Sequence, residues 1–349
     1  MSVRLSCALP PSAAIAEQAR EAERLGYHRV WVFDSPALHG DLWIALAQVA
    51  AATERVGLGT GVAVAGLRHP MVTAAAAAAV ADLAPGRLTL AFGTGHTARY
   101  AIGQRPVPVD DLVREVRQVR SLLAGEVVEI DGKHCQMRQL PGFGPARPVD
   151  VPVWLAASGP RATAAAIDLD VPGVLATSVP GRAWPEHALL RFGTVLRPGE
   201  DHTTPRVIDA AGPGWASIIH AAWEGTPTAV DDLPGGERWR ADIEASRPER
   251  ERHLDVHQGH MTTLTARDRD LATAAGPALL TVGWTGTPDQ LRDKATQAAA
   301  AGVTEIVYVP TSPDVTSELT AYAEALGGFY GDGPSRASSS LMPGRGCRR

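Results

Sequence analysis

Residues 87–96 read RLTLAFGTGH, an apolar run over 87–92 that stops at Gly93, Thr94, Gly95 and His96. A second run, residues 151–157 (VPVWLAA), stops in the same way at Ser158, Gly159 and Pro160. Short apolar runs that end in small residues and pass into a helix are the strand-to-helix turns of a parallel α/β sheet. The first backbone N–H groups of such a helix have no intrahelical acceptor and are available to an anion. One glycine turn is commonly no more than a tight connection. The pair, set in a chain with the same rhythm elsewhere, predicts a cradle for a phosphorylated cofactor.

The rhythm extends both ways from these turns. Strands are predicted at 3–9, 28–33, 56–64, 87–92, 151–157, 173–177 and 305–309, with a further short one at 192–196. Helices are predicted at 12–25, 41–53, 70–83, 109–123, after Pro160, at 288–301 and at 313–326. Ser12 is read as a helix N-cap, Gly26 as a helix stop and Pro70 as a first-turn residue. The alanine-rich stretch 74–81 reads as a helix whose small side chains allow close packing on the sheet. A hairpin is expected over 127–137 around Asp131-Gly132. Between about 180 and 276 the pattern is irregular, with helices near 213–223 and 237–245, and this reads as a substrate-side insertion. The units sum to roughly eight strands in one closed α/β barrel. Residues 1–328 form one expected domain, and the Gly/Ser/Pro-rich 329–349 an expected disordered tail.

Composition narrows the function. The chain has 349 residues, 45% hydrophobic and 20% charged, which is globular, and a net charge of −5. No Lys/Arg cluster tracks a phosphate backbone, so nucleic acid is not an expected partner, and small molecules and other subunits are. Cys7, Cys135 and Cys347 have neither metal spacing nor a disulfide framework. Without a signal-like start or a stretch of about 20 apolar residues, the expected location is cytoplasmic, with no membrane partner.

Longer phrases carry a resemblance. They are AREAERLGYHRVWVFDS (19–35), ERVGLGTGV (54–62), RHP (68–70), DLAPGRLTLAFGTG (82–95), WLAASGP (154–160) and GTPDQL (286–291). In these the chain resembles the bacterial-luciferase-like flavin and deazaflavin oxidoreductases, and within them the branch that uses coenzyme F420. The resemblance implies a (β/α)8 TIM barrel with insertions, its cofactor at the C-terminal face. It implies that Asp34 faces the cofactor ring, where the residues alone also allow an N-cap. It implies a non-prolyl cis peptide at Gly61 and Val62 against the back of the ring. Gly93, Thr94 and Gly95, with Ala156, Ala157, Ser158 and Gly159, match the loops used for backbone and phosphate contacts, and Thr177 matches a site-lining position. A homodimer paired through the second and third helices is also implied. Two departures argue against a phosphosugar substrate: His96 stands where sugar-phosphate dehydrogenases of the family carry Glu, and Pro180 where they carry Lys.

Histidine titrates nearest neutrality, so His39 and His96 are the expected proton relay, with loop packing or solvent exposure as the alternative. His69 is expected to pack or cap before Pro70. His257 and His260 have helical metal spacing, but no third ligand stands nearby in the chain and no metal is assigned. Trp43, Trp223 and Trp284 could border a ring but read first as core, and Glu224, Arg99 and Tyr100 are weighed as further site groups against a surface role. The leading expectation is F420-dependent hydride transfer to C=C or C=N, or the reverse oxidation. The alternatives are an FMN-dependent two-component monooxygenase served by a partner reductase, and a non-catalytic flavin-binding barrel.

Overall fold

Eight parallel strands close on themselves in the order β1-β10-β9-β8-β7-β4-β3-β2. The structure, a computed structural model, describes residues 3–327; the tail expected at 329–349 lies outside them. The first half runs β1 (Arg4–Leu9), α1 (Ile15–Arg24), β2 (Arg29–Val32), α2 (Leu42–Ala52), β3 (Gly57–Val64), α3 (Pro70–Leu83) and β4 (Leu88–Gly93). After a short α4 (His96–Tyr100) and α5 (Val109–Ala124), the hairpin β5 (Val128–Ile130) and β6 (Lys133–Cys135) precedes β7 (Val153–Ala156), α6 (Pro160–Asp168) and β8 (Gly173–Ala176). Asp131 (φ 51°) and Gly132 (φ 71°) take the two left-handed positions that a tight hairpin turn requires.

Local chemistry sets the helix ends. His69 Nδ1 accepts from Met71 N at 3.1 Å and caps α3, as expected. Ser12 does not cap α1: the N-cap position is Ala14, and Ser12 contributes only its carbonyl, to Ile15 N. The alanines of α3 bury one face, at Ala74, Ala77 and Ala78.

The barrel interior is plugged at the N-terminal ends of its strands. Trp31 and Trp154 meet with ring centroids 5.5 Å apart. They fit because Gly59 and Gly173 lack side chains; a Cβ at either would lie 2.3 Å from the facing ring. Arg29 lies 4.9 and 5.2 Å over the two rings and pairs at 2.7 Å with Glu305, which is fully buried and also accepts from Trp31 Nε1. The open end of the barrel is therefore the C-terminal one.

The stretch read as irregular begins with a barrel strand. β9 (Glu186–Phe192) pairs with β8 and with β10 (Glu305–Val309), while the strand expected at 192–196 is reduced to a bridge between Val195 and Gly286. Glu186, His187 and Arg191 interrupt the apolar run of β9. Each is answered in the structure, Glu186 by Arg4 and Thr304, His187 by Ser178 O, and Arg191 by Thr177 O. The excursion proper follows: α7 (Pro205–Gly225, with Pro213 inside), α8 (Gly236–Ser246), α9 (His253–Val256) and α10 (Ala266–Ala274). It has its own core of Trp215, Ile219, Trp223, Trp239 and Ile243. The chain returns through α11 (Pro288–Ala300), opened by a Thr287/Gln290 capping box, to β10 and α12 (Val315–Leu326). Among the described residues no helix is long and apolar enough to cross a membrane.

Candidate active site

A cavity of about 1020 Å³ opens at the C-terminal ends of the strands, roofed by α7 and the segment around Met261. Asp34, His39, Gly61, Val62, Gly93, Thr94, Gly95, His96, Ala156, Ser158, Gly159 and Thr177 all line it. Ala157 does not. Side chains alternate along an extended strand end, so Ala156 and Ser158 face the cavity while Ala157 is buried in the core between barrel and helices. Its amide donates to Leu175 O.

Asp34 is buried and does not cap a helix; Asp41 caps α2, accepting from Trp43 N and Ile44 N. Asp34 Oδ2 accepts from Val64 N at 2.9 Å and from Arg68 at 2.8 Å, and Arg68 bridges on to Asp41. Asp34 Oδ1 is buried without a hydrogen-bond partner. A buried acceptor left unpaired is costly, so this oxygen is a ready contact for a ligand donor.

The Gly61–Val62 peptide is cis, and the β3–β4 register shifts between Gly61 and Ala63. Val62 packs so close to β4 that a Cβ at Gly93 would sit 2.7 Å from its Cγ2 and 3.3 Å from Ala156 Cβ. Gly95 has φ +79°, and a Cβ there would lie 2.2 Å from Val64 Cγ1. These glycines let three strand ends crowd together.

The turn after β7 differs. Gly159 is the N-cap of α6 with no side-chain cap, Pro160 has no N–H, and the first intrahelical bond is Thr163 N to Gly159 O. The amides of Arg161 and Ala162 precede that bond. A Cβ at Gly159 would meet nothing within 4 Å. Ser158 Oγ accepts from Thr177 N at 3.0 Å and bonds the Thr177 hydroxyl, joining this turn to the one after β8.

His39 is half-buried, its ring 6.3 Å from that of Phe33. Burial pulls its pKa below the ordinary histidine value, against an opposing hydrogen bond at Leu38. His96 faces the cavity edge-on to Tyr100, and its pKa is lowered by burial and then by nearby His257, with Glu224 opposing. Both shifts favour the neutral imidazole, more so for His39, since the His96 side of the cavity is open to solvent.

Other groups resolve as follows. Trp284 lines the cavity, whereas Trp43 and Trp223 are core. Arg99 is held by Arg105 O and Gly66 O, outside the cavity lining. Glu224 meets His257 Nε2 at 3.0 Å. Sequence reasoning missed Arg191, which lines the cavity, donates to Thr177 O and Leu190 O, and stacks on Trp284. Burial pulls its pKa down. It missed the role of Arg68 as well, since no spacing announces that this arginine returns to Asp34. It also found no third ligand for His257 and His260; α7 brings His220 to them.

The fold and site define an eight-stranded α/β barrel with one large cavity at the C-terminal ends of its strands. The luciferase-like monooxygenase family profile matches residues 4–305, and the chain belongs to that family. It is 40% identical over 159 residues to the F420-dependent glucose-6-phosphate dehydrogenase of Beutenbergia cavernae, covering 41% of this chain and 46% of that protein. It is 31% identical over 157 residues to the 5,10-methylenetetrahydromethanopterin reductase of Methanolobus tindarius, covering 43% and 46%. The chain thus spans about half the length of the curated relatives it matches. The coenzyme F420 dependent tetrahydromethanopterin reductase from Methanopyrus kandleri superposes with a TM-score of 0.64 at 19% identity, covering 95% of this chain and 100% of that one.

Proposed function

We propose that this chain is a coenzyme F420-dependent oxidoreductase that moves hydride between the deazaflavin and a small organic substrate. It would reduce C=C or C=N in one direction and oxidise an alcohol or amine in the other. The observation that carries the reading is Asp34 Oδ1, a buried acceptor without a partner in the cavity wall, beside the Gly61–Val62 peptide. The named activities of the relatives in Beutenbergia and Methanolobus support it.

The residues present fit the cofactor. Asp34 would accept from the polar edge of the ring, Val62 and Gly93 would form the wall behind it, and the α6 amides with Ser158 would hold the phosphate. When bound, the deazaflavin supplies a two-electron hydride couple that reacts poorly with oxygen. The chain supplies the proton chemistry: as a substrate C–H is oxidised, neutral His39 or His96 takes the proton from its hydroxyl or amine, and returns it in the reductive direction. Met261, Val282 and Trp284 give the substrate side an apolar wall that excludes water. With His96 and Pro180 at the departing positions, the substrate is read as unphosphorylated. Free Cys7 and Cys135 accord with a cytoplasmic setting. Exposed Ile44, Val72 and Leu83 on α2 and α3 support a homodimer.

Fluorescence titration with F420 and, separately, FMN tests the assignment. F420 is expected to bind at least about tenfold more tightly, a difference of about 1.4 kcal/mol. The reverse order would make the protein an FMN monooxygenase needing a partner reductase. Tight binding without turnover on any donor–acceptor pair would make it a non-catalytic barrel.

A further inference from the structure

Three histidines stand together at the edge of the cavity roof. His220 of α7 and His257 and His260, just beyond α9, offer ligand nitrogens that all lie within 4.8 Å of one another. Their ring centroids form a nearly equilateral triangle with sides of 5.5, 5.3 and 5.4 Å. His220 and His260 face each other Nδ1 to Nδ1 at 3.0 Å, and His257 Nδ1 is buried with no partner. The side chains of His220 and His257 are each only 1% exposed.

The Nε2 atoms of His257 and His260 meet fixed groups. His257 Nε2 meets Glu224 Oε1 at 3.0 Å, and His260 Nε2 meets Thr97 Oγ1 at 3.2 Å. His220 Nε2 lies 3.6 Å from Asp268 Oδ1, and Asp268 is itself held by Trp239 Nε1 and Thr265 Oγ1. One Nδ1 of the His220–His260 pair donates to the other, while His220 Nε2 and His257 Nδ1 are buried without hydrogen-bond partners, so the cluster holds imidazole nitrogens whose bonding capacity the protein leaves unused. Imidazoles whose far nitrogen is oriented by a carboxylate or hydroxyl are the arrangement of metal-binding histidines.

We propose that His220, His257 and His260 bind one divalent first-row transition ion of the zinc class, each through one ring nitrogen, with water in a fourth position and the proton now shared between His220 and His260 Nδ1 released on binding. Metal–nitrogen bonds of about 2.0–2.1 Å place tetrahedral ligand atoms about 3.3 Å apart, close to the separation already present between His220 and His260. Glu224 and Asp268 bring two negative charges to the site, opposite in sign to the ion. The ion ties α7 to the 257–260 segment and, through Thr97, to α4 beside the Gly93–Gly95 turn. Met261, next to His260 and at φ 58°, is thereby held as a wall of the cavity. The proposal does not rest on the hydride reading.

The test uses the full, tag-free chain, stripped with a chelator and titrated with Co²⁺. One equivalent of Co²⁺ is expected to give the intense visible bands of a tetrahedral site, and Zn²⁺ to displace it and raise the melting temperature. Asp268→Asn and Glu224→Gln are expected to weaken binding about 10–100-fold, and His257→Gln with His260→Gln to abolish the bands. Because the histidine variants could misfold, the carboxylate variants and the wild-type melting shift serve as independent readouts. Absence of stoichiometric Co²⁺ binding to the wild-type chain overturns the proposal. So does Co²⁺ binding that survives undiminished in a folded His257→Gln/His260→Gln variant.

Discussion

Asp34 and His39 stand a few residues apart in the loop after β2, and the chain around them creates two different environments. Asp34 is fixed by Val64 N and Arg68 through one oxygen, and the other oxygen faces the cavity wall unpaired. His39 is half-buried with no carboxylate among the causes of its shift, so burial dominates and its pKa lies below the ordinary value of about 6.5. A group with a depressed histidine pKa is neutral above that pKa and charged only below it. If His39 is the base, the oxidative kcat/KM is flat near neutrality and falls as pH drops through a value below 6.5, and the reductive rate gains over the same range. His39→Gln is expected to slow turnover about 10²–10⁴-fold and to remove that acid limb; a pH profile with an unmoved limb in the variant would transfer the role to His96. His39 and the glycines of the turns are legible locally, because they follow strand ends that the sequence marks, whereas the role of Asp34 comes only from the family resemblance, the residues alone allowing an N-cap. Ala157 stands in the same WLAASGP phrase as its cavity-lining neighbours, but alternation along the strand end turns its side chain into the core, which a phrase match does not reveal. Arg191 and Arg68 act on groups remote in sequence, and no local pattern encodes that.

The two glycine turns look alike in sequence and differ as structural devices. The Gly93–Gly95 turn is crowded, and Gly95 holds a left-handed backbone with no room for a Cβ, so a substitution there disturbs packing before it touches any ligand. Gly159 is extended and open, at the head of the nine-residue α6. Gly159→Val is therefore the discriminating variant: its side chain adds bulk over the leading amides of α6 without a clash in the protein. The expected result is an unchanged melting temperature with cofactor affinity reduced about tenfold or more, read by the same fluorescence titration. Wild-type affinity in this variant would remove the α6 N-terminus from the phosphate site. Most strands and helices were visible as alternating apolar runs and amphipathic stretches with good boundary residues. β9 was hidden because it carries Glu186, His187 and Arg191, each satisfied by a partner from another strand or turn. The irregular pattern after it is that of helices packing on each other around Trp223 and Trp239, outside the repeating unit.

The molecule as a whole is polarised. Among the described residues one barrel end is filled by Trp31, Trp154, Arg29 and Glu305, and the other opens into the cavity under the excursion. On the outside, α2 and α3 pack side by side and leave Ile44 64% exposed, Val72 55% and Leu83 56%, although neither helix needs apolar residues on its solvent face. Burying such side chains contributes about 25 cal/mol per Å² of apolar area, and a twofold pairing counts each residue twice because both copies present the same patch. The chain is accordingly expected to run as a dimer at micromolar concentration when its mass is measured by light scattering. Ile44→Glu combined with Val72→Glu places four charges at that contact, two per copy, and is expected to yield a monomer whose barrel still melts cooperatively, since both positions lie outside the core. A wild-type monomer, or a dimer that survives both substitutions, would assign the pairing surface elsewhere on the barrel.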